Sequence, residues 1–285
     1  MRPKQRTIAT EVAISGIGVN TGRKVNLRLR PAPPDSGVAF VRADLDGKPT
    51  IPARPENMAR LPRRSCLRTA DATVQMTEHL LAACAGLGVD NLVAELDSEE
   101  LPALDGSPLA FAQLIQEAGV VEQDAERRLQ TVCEPVTIVE GPASISISPA
   151  TDALSVSYEL QFDKAGFRPQ HFAFRLDEQA FMAEVAPART FVFQSDAAKL
   201  LAQGFGRGAD PENTLLLRDD GSLVYGEFRF PDELARHKVA DLLGDLSLLG
   251  RGFRAKVVAR RTGHAQNLAA VERIARGLLQ TIEED

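Results

Sequence analysis

Apolar residues recur along the 285-residue chain with two periods, one of two and one near 3.6, and the two alternate in the same order in each half. The first half opens with the alternating segments TIATEVAISG and RKVNLRLRPAP, separated by GIGVNTG and followed by GVAFVRAD, which predicts antiparallel strands. TEHLLAACAGLG then reads as a helix capped by Thr77 and closed by Gly86 or Gly88, NLVAEL as a strand and SPLAFAQLIQEAG as a second helix. After the charged break EQDAERR, strand patterns resume in PVTIVEG, ASISISP, LSVSYELQF and HFAFRL. A helix over 231–249, the strand FRAKVVAR and a long final helix through AQNLAAVERIARGLLQTI complete the chain. The expected class is α+β, with helices against mainly antiparallel sheets. The repeated order predicts two domains related by structural duplication, 1–125 and 126–285, joined near 122–129 and facing one cleft.

The helix over 231–249 interrupts this regular picture. Pro231 and Asp232 mark its entry and Gly250 its exit. Val239, Leu242, Leu243 and Leu246 form its apolar face, while His237, Lys238, Asp241 and Asp245 crowd the other edge beside Ala240 and Gly244. His237 and Asp241 are four apart, the spacing by which one helix offers two ligands to a metal; the same spacing also makes an ordinary surface ion pair. Glu78 and His79 open the earlier helix about 100° apart, so one can bind a metal while the other reaches a water on it. Read without a metal, Glu78 offsets the helix dipole and His79 packs in a polar core. His264 follows a strand and a glycine-containing turn, and Asp245 could fix its tautomer and favour its imidazolium form. Thr190 in ARTFVF lies in an ordinary strand or in the wall of a substrate cleft, and His171 alternates with aromatics as a structural residue. GIGVNTG is a hairpin turn, because no helix follows to make a dinucleotide loop.

Charge and cysteine usage narrow the chemistry. The net charge of −6 argues against nucleic acid and anionic membrane as partners. No apolar run reaches bilayer length and MRPKQRTIATEV lacks a signal-peptide core, so a cytoplasmic protein without stable membrane insertion is expected. Cys66, Cys84 and Cys133 are far apart in sequence and form no CxxC pair, which leaves His and carboxylate as the ligands of any metal. HEXXH is absent, so such a site must draw on both halves.

Several segments together resemble the bacterial UDP-3-O-acyl-N-acetylglucosamine deacetylases, zinc amidases of lipid A biosynthesis. They are TEHLLAACAGLGVDN at 77–91, LPALDGSP at 101–108, ARTFVF at 188–193, HKVADLLGDLSLLG at 237–250 and TGHAQN at 262–267. The resemblance covers nearly the whole chain and implies two βα-sandwich domains. It implies zinc, or iron(II) in a site of this ligand type, held by His79, His237 and Asp241, with Glu78 as general base. It further implies His264, oriented by Asp245, as the acid that stabilises the oxyanion and assists the leaving amine, with Thr190 as a second oxyanion donor. Lys238, Phe191 and Phe193 are implied as substrate contacts, with an acylated UDP-amino sugar as substrate and its deacetylation as the committed step of the pathway. A site built within one chain needs no second subunit, and a monomer is expected.

Three departures bear on substrate shape. Asn20 stands where the family usually has His, Val192 where it has Gly, and QFDKAGFRPQ lacks the usual His-Pro in the region 161–172, expected to belong to the acyl-chain passage. Two other readings remain: a zinc-containing sugar-nucleotide-binding paralogue without turnover, and a deacetylase of a different acylated amino sugar. Glu78 speaks for the enzyme, since a binding protein needs no base beside its metal.

Overall fold

The computed structural model describes residues 3–250 and 252–282. Its first half comprises β1 Lys4–Ile8, β2 Val12–Ile17, β3 Lys24–Pro31, β4 Val38–Arg42, β5 Thr50–Pro52, β6 Cys66–Arg68, β7 Thr73–Gln75, α1 Glu78–Gly86, β8 Leu92–Leu96, α2 Leu109–Ala118 and β9 Val120–Glu126. Five of these strands form one sheet in the order β2-β3-β8-β4-β5, antiparallel except for the β4–β8 pair. The alternation of side chains explains its one-sided burial: Val25, Leu27 and Leu29 of β3 are buried, and Lys24, Asn26 and Arg28 between them are exposed. TIATEVAISG, read as one strand, is broken at Ala9–Glu11, and β1 leaves the sheet to pair with β9.

The second half comprises β10 Gln130–Val132, β11 Val136–Glu140, β12 Ala143–Pro149, β13 Leu154–Leu160, β14 Gln170–Arg175, α3 Glu178–Ala180, β15 Phe191–Phe193, α4 Gln194–Ala202, β16 Leu215–Leu217, α5 Glu233–Leu246, β17 Ala255–Arg260, α6 His264–Ala275 and β18 Leu279–Thr281. Its main sheet runs β11-β12-β17-β13-β14, again antiparallel except where the last-formed strand lies beside the third, β17 against β13. The two sheets therefore share strand order and sense, with α1 at the place of α5 and α2 at the place of α6. The helix expected to run through GLLQTI ends at Ala275, because Gly277 turns the chain at φ 119° and Leu279–Thr281 pairs with β10. The helix expected to reach 249 ends as α-helix at Leu246 and tightens into a 3₁₀ turn over Ser247–Leu249 before Gly250, at φ 110°. The stretch 161–169 is a loop, Gln170–Phe172 begins a strand of the main sheet, and the excursion from it is the parallel unit β15-α4-β16.

Helices α1 and α5 pack against each other where the halves meet, α5 lies on β13 and β14, and α6 lies on β11 and β12. The apolar stripe predicted for α5 is buried, but so is its polar edge: His237 and Asp241 are 2% exposed and Asp245 is 0% exposed. Charges buried to this degree must pair with protein groups, since little water reaches them. Among the described residues no helix is long and apolar enough to cross a membrane.

The closeness of α1 and α5 rests on Gly244, where an added Cβ would stand 2.2 Å from the Glu78 carbonyl oxygen. Helix propensity favours alanine there by about 0.8–1.0 kcal/mol, but the obstacle is backbone, and overpacking typically costs about 1–3 kcal/mol. Gly244→Ala is therefore expected to lower the thermal midpoint, because the displaced turn carries the buried Glu78 and His79. Calorimetry on the variant checks this.

Candidate metal centre

The first turn of α1 brings Glu78 and His79 to the seam, and the middle of α5 brings His237, Asp241 and Asp245 to the same point. Ligand atoms of His79, His237 and Asp241 all lie within 4.8 Å of one another, and all three residues are buried. Nε2 of His237 is 3.4 Å and Nε2 of His79 is 3.7 Å from Asp241 Oδ1. The other His237 nitrogen, Nδ1, donates to the Ala188 carbonyl at 3.1 Å, which leaves Nε2 as a lone-pair donor directed at the cluster. Burial drives the His237 pKa down to about 3, so the ring is the neutral species that a metal requires. Two imidazole nitrogens and one carboxylate oxygen fit a divalent cation of the zinc or iron(II) type, with positions left for substrate and water.

Asp241 spans two environments. Its Oδ1 faces the histidines, and its Oδ2 accepts from Lys238 Nζ at 2.7 Å. Burial opposes the charge of this carboxylate, but His237, Lys238 and His264 outweigh that and hold it well below the usual range. Lys238, expected to reach substrate, is thus also the counter-ion of a ligand, and it lies 5.6 Å from the centroid of the Phe191 ring.

A second set of groups flanks the cluster. His264 Nε2 is 3.6 Å from Glu78 Oε1 and 3.8 Å from Asp241 Oδ2, and its Nδ1 donates to Asp245 Oδ2 at 2.8 Å. Burial disfavours the imidazolium, yet Asp245, Asp241 and Glu78 together push it up to about 9. Burial also raises the Glu78 carboxyl, against the pull of His264 and His79. The loop carrying His264 is anchored where Tyr158 of β13 donates to the Thr262 carbonyl at 2.5 Å.

The remaining expected residues sit on the adjoining segment. Thr190 lies two residues beyond Ala188, and its backbone N–H donates to the Gly106 carbonyl at 2.7 Å. Gly106 in LPALDGSP permits that approach: its φ is +76° and an added Cβ would stand 1.9 Å from the Asn213 carbonyl oxygen. Phe191 packs edge-on to His237 with centroids 6.1 Å apart, and Phe193 packs against Phe162 at 4.9 Å. Val192 pairs with Leu216 in the β15–β16 unit. Asn20 closes the hairpin after β2, where its backbone N–H and side-chain amide donate to the buried Glu100 at 2.8 and 2.9 Å. His171 is exposed on β14, with Nε2 3.0 Å from Ser157 Oγ.

Sequence reasoning missed four participants. Ser65 donates through its hydroxyl to Asp245 Oδ1, and its backbone N–H donates to Glu78 Oε2 at 3.2 Å. Asn267 Nδ2 donates to Asp245 Oδ2 at 2.9 Å, and its i,i+3 spacing from His264 was the available signal. Glu233, 0% exposed, accepts from Arg189 Nε at 2.8 Å and so fixes the segment that bears Ala188 and Thr190. Ala188 acts through a carbonyl, which no side-chain motif reveals. If the three ligands bind a metal, Asp241→Ala lowers it from about one equivalent to near none. It also destabilises the fold, because Lys238 loses its buried counter-charge. Metal analysis after dialysis, with thermal denaturation alongside, checks both effects.

Residues 5–276 match the LpxC family, UDP-3-O-acyl N-acetylglycosamine deacetylase. A UDP-3-O-acyl-N-acetylglucosamine deacetylase of Anaeromyxobacter sp. (strain Fw109-5) is 41% identical over 271 residues, covering 95% of this chain and 88% of that protein. The protein of the same name from Myxococcus xanthus (strain DK1622) is 39% identical over 96% of this chain and 88% of its own length, and that of Cellvibrio japonicus (strain Ueda107) 38% over 94% and 89%. The buried His79, His237 and Asp241 cluster lies within the matched span, and the chain belongs to the UDP-3-O-acyl N-acetylglycosamine deacetylase family.

Proposed function

We infer that this chain hydrolyses the N-acetyl group of UDP-3-O-acyl-N-acetylglucosamine to the free amine and acetate, the committed step of lipid A biosynthesis. The observation that carries the reading is the buried His79, His237 and Asp241 cluster beside the Glu78–His264 pair, in a chain of this family. His79, His237 and Asp241 would hold zinc, or iron(II), whose Lewis acidity polarises the acetyl carbonyl and makes a nearby water more acidic. Glu78 receives the proton that the attacking water loses. A carboxyl raised by burial is well matched to that task near neutral pH. His264 enters the reaction as imidazolium, steadied by Asp245, stabilises the negative oxygen and passes its proton to the departing amine nitrogen. Thr190 adds a hydroxyl donor to that oxygen. Lys238 offers a cation to the sugar or diphosphate, and Phe191 and Phe193 line the nucleotide end of the cleft.

The architecture is read as two βα-sandwich domains, 1–125 and 126–285, arisen by duplication. The shared strand order of the two sheets and the matched places of α1 and α5 support this. A monomeric, cytoplasmic enzyme is proposed, since both halves of one chain supply the site. A deacetylase of a different acylated amino sugar is the second reading, favoured by Asn20 in the first hairpin and Val192 in β15. A binding-only paralogue gives no role to the buried Glu78 facing His264.

Acetate release from the acylated UDP-sugar by wild type is the direct test, and substrate turnover only with an altered amino sugar would shift belief to the second reading. Glu78→Ala is expected to lower kcat by about 10²- to 10⁴-fold while keeping its metal. The pH profile of kcat/KM should show an acid limb where Glu78 ionises, raised by burial and lowered by any cation held by the three ligands. It should fall on an alkaline limb no higher than about 9, where His264 loses the proton it must donate; any cation held by the three ligands moves that limb down. His264→Gln removes the alkaline limb.

A further inference from the structure

We propose that Ser65 is a positioning residue that ties the Glu78 carboxylate of one half to the His264–Asp245 pair of the other and so sets the base and the acid in register. The proposal rests on the deacetylase reading above. Ser65 is 1% exposed, in the segment entering β6, and its carbonyl accepts from Met76 N at 2.9 Å. That bond makes it part of the frame that enters α1, so it is fixed relative to Glu78 and His79. Its backbone N–H holds Glu78 Oε2 at 3.2 Å, leaving Oε1 toward His264 Nε2 at 3.6 Å. Its hydroxyl, on the same residue, donates to Asp245 Oδ1 and lies 3.2 Å from His264 Nδ1.

Asp245 is 0% exposed and its carboxylate takes three donors: the Ser65 hydroxyl on Oδ1, and His264 Nδ1 with Asn267 Nδ2 on Oδ2. Asn267 and His264 both belong to α6, so Ser65 is the donor that refers this carboxylate to the first half. With Oδ1 held from across the seam, the carboxylate plane is fixed, and the imidazole hydrogen-bonded to it is fixed with it. The two proton-transfer atoms, Glu78 Oε1 and His264 Nε2, are then spaced by one residue that touches both supports. Proton transfer depends steeply on such geometry, and a hydrogen bond to a buried charge is a strong constraint.

Ser65→Ala separates the hydroxyl from the backbone role, because alanine keeps the N–H that holds Glu78. The expected result is a fall in kcat of about 10- to 100-fold, with KM and metal content little changed. Ser65→Thr, which keeps the hydroxyl, is expected to recover most of that loss. The discriminating measurement is a double-mutant cycle with His264→Gln, read as acetate release at high enzyme concentration. If Ser65 acts through the imidazole, Ser65→Ala costs much less in the His264→Gln background than in wild type. Equal costs in both backgrounds, wild-type kcat in Ser65→Ala, or a loss that merely follows lost metal or a lowered thermal midpoint overturns the role. An inactive wild type overturns the deacetylase reading itself and the role with it, whereas an active wild type with an indifferent Ser65→Ala overturns the role alone.

Discussion

The contact between α1 and α5 at Gly244 is the constraint from which the rest follows. An absent side chain lets the first turn of one helix approach the last turns of the other until backbone meets backbone. His79 comes from one helix and His237 and Asp241 from the other, so the group that could hold a metal exists only while that approach is held. Gly86 repeats the device at the far end of α1, where an added Cβ would stand 2.2 Å from the Phe181 ring. Both glycines therefore serve packing, and neither is needed there for backbone freedom.

Bringing the helices so close encloses several charges at once. Glu78, Asp241 and Asp245 are all buried, and an isolated buried carboxylate is strongly unfavourable. The structure answers by interleaving cations: Lys238 on Asp241, and His264 between Asp245, Asp241 and Glu78. This network explains why His264 is raised while His237, a few ångströms away, is lowered. His264 faces three carboxylates, whereas His237 turns Nδ1 to a neutral carbonyl, and burial then dominates. Two histidines of the same intrinsic basicity are thus driven apart, one raised by the carboxylates around it and the other lowered by burial.

Much of this was legible in the chain itself. Strand and helix segments followed from periodicity, because that signal is local, whereas i,i+4 spacing left His237 and Asp241 open between a ligand pair and a surface ion pair. The errors were local as well. The final helix was overextended because Gly277 breaks a pattern that apolar residues alone continue into Leu278 and Leu279, and the helix expected to reach 249 gives way after Leu246 to a 3₁₀ turn. That Gln170–Phe172, at the end of the region 161–172, pairs with β13 is a long-range choice that no local pattern reports.

The sequence by itself determined which groups were available: four histidines, a helix spacing that sets His237 beside Asp241, Glu78 adjoining His79, and no CxxC pair. Tertiary structure decided what each group became. Ser65 lies 180 residues from Asp245 and 199 from His264, and the carbonyl of Ala188 has no side-chain signature, so neither could be assigned by spacing. Protonation state, tautomer and the distance between base and acid depend on burial and on partners across the seam, and those are fixed only when the two halves close on each other.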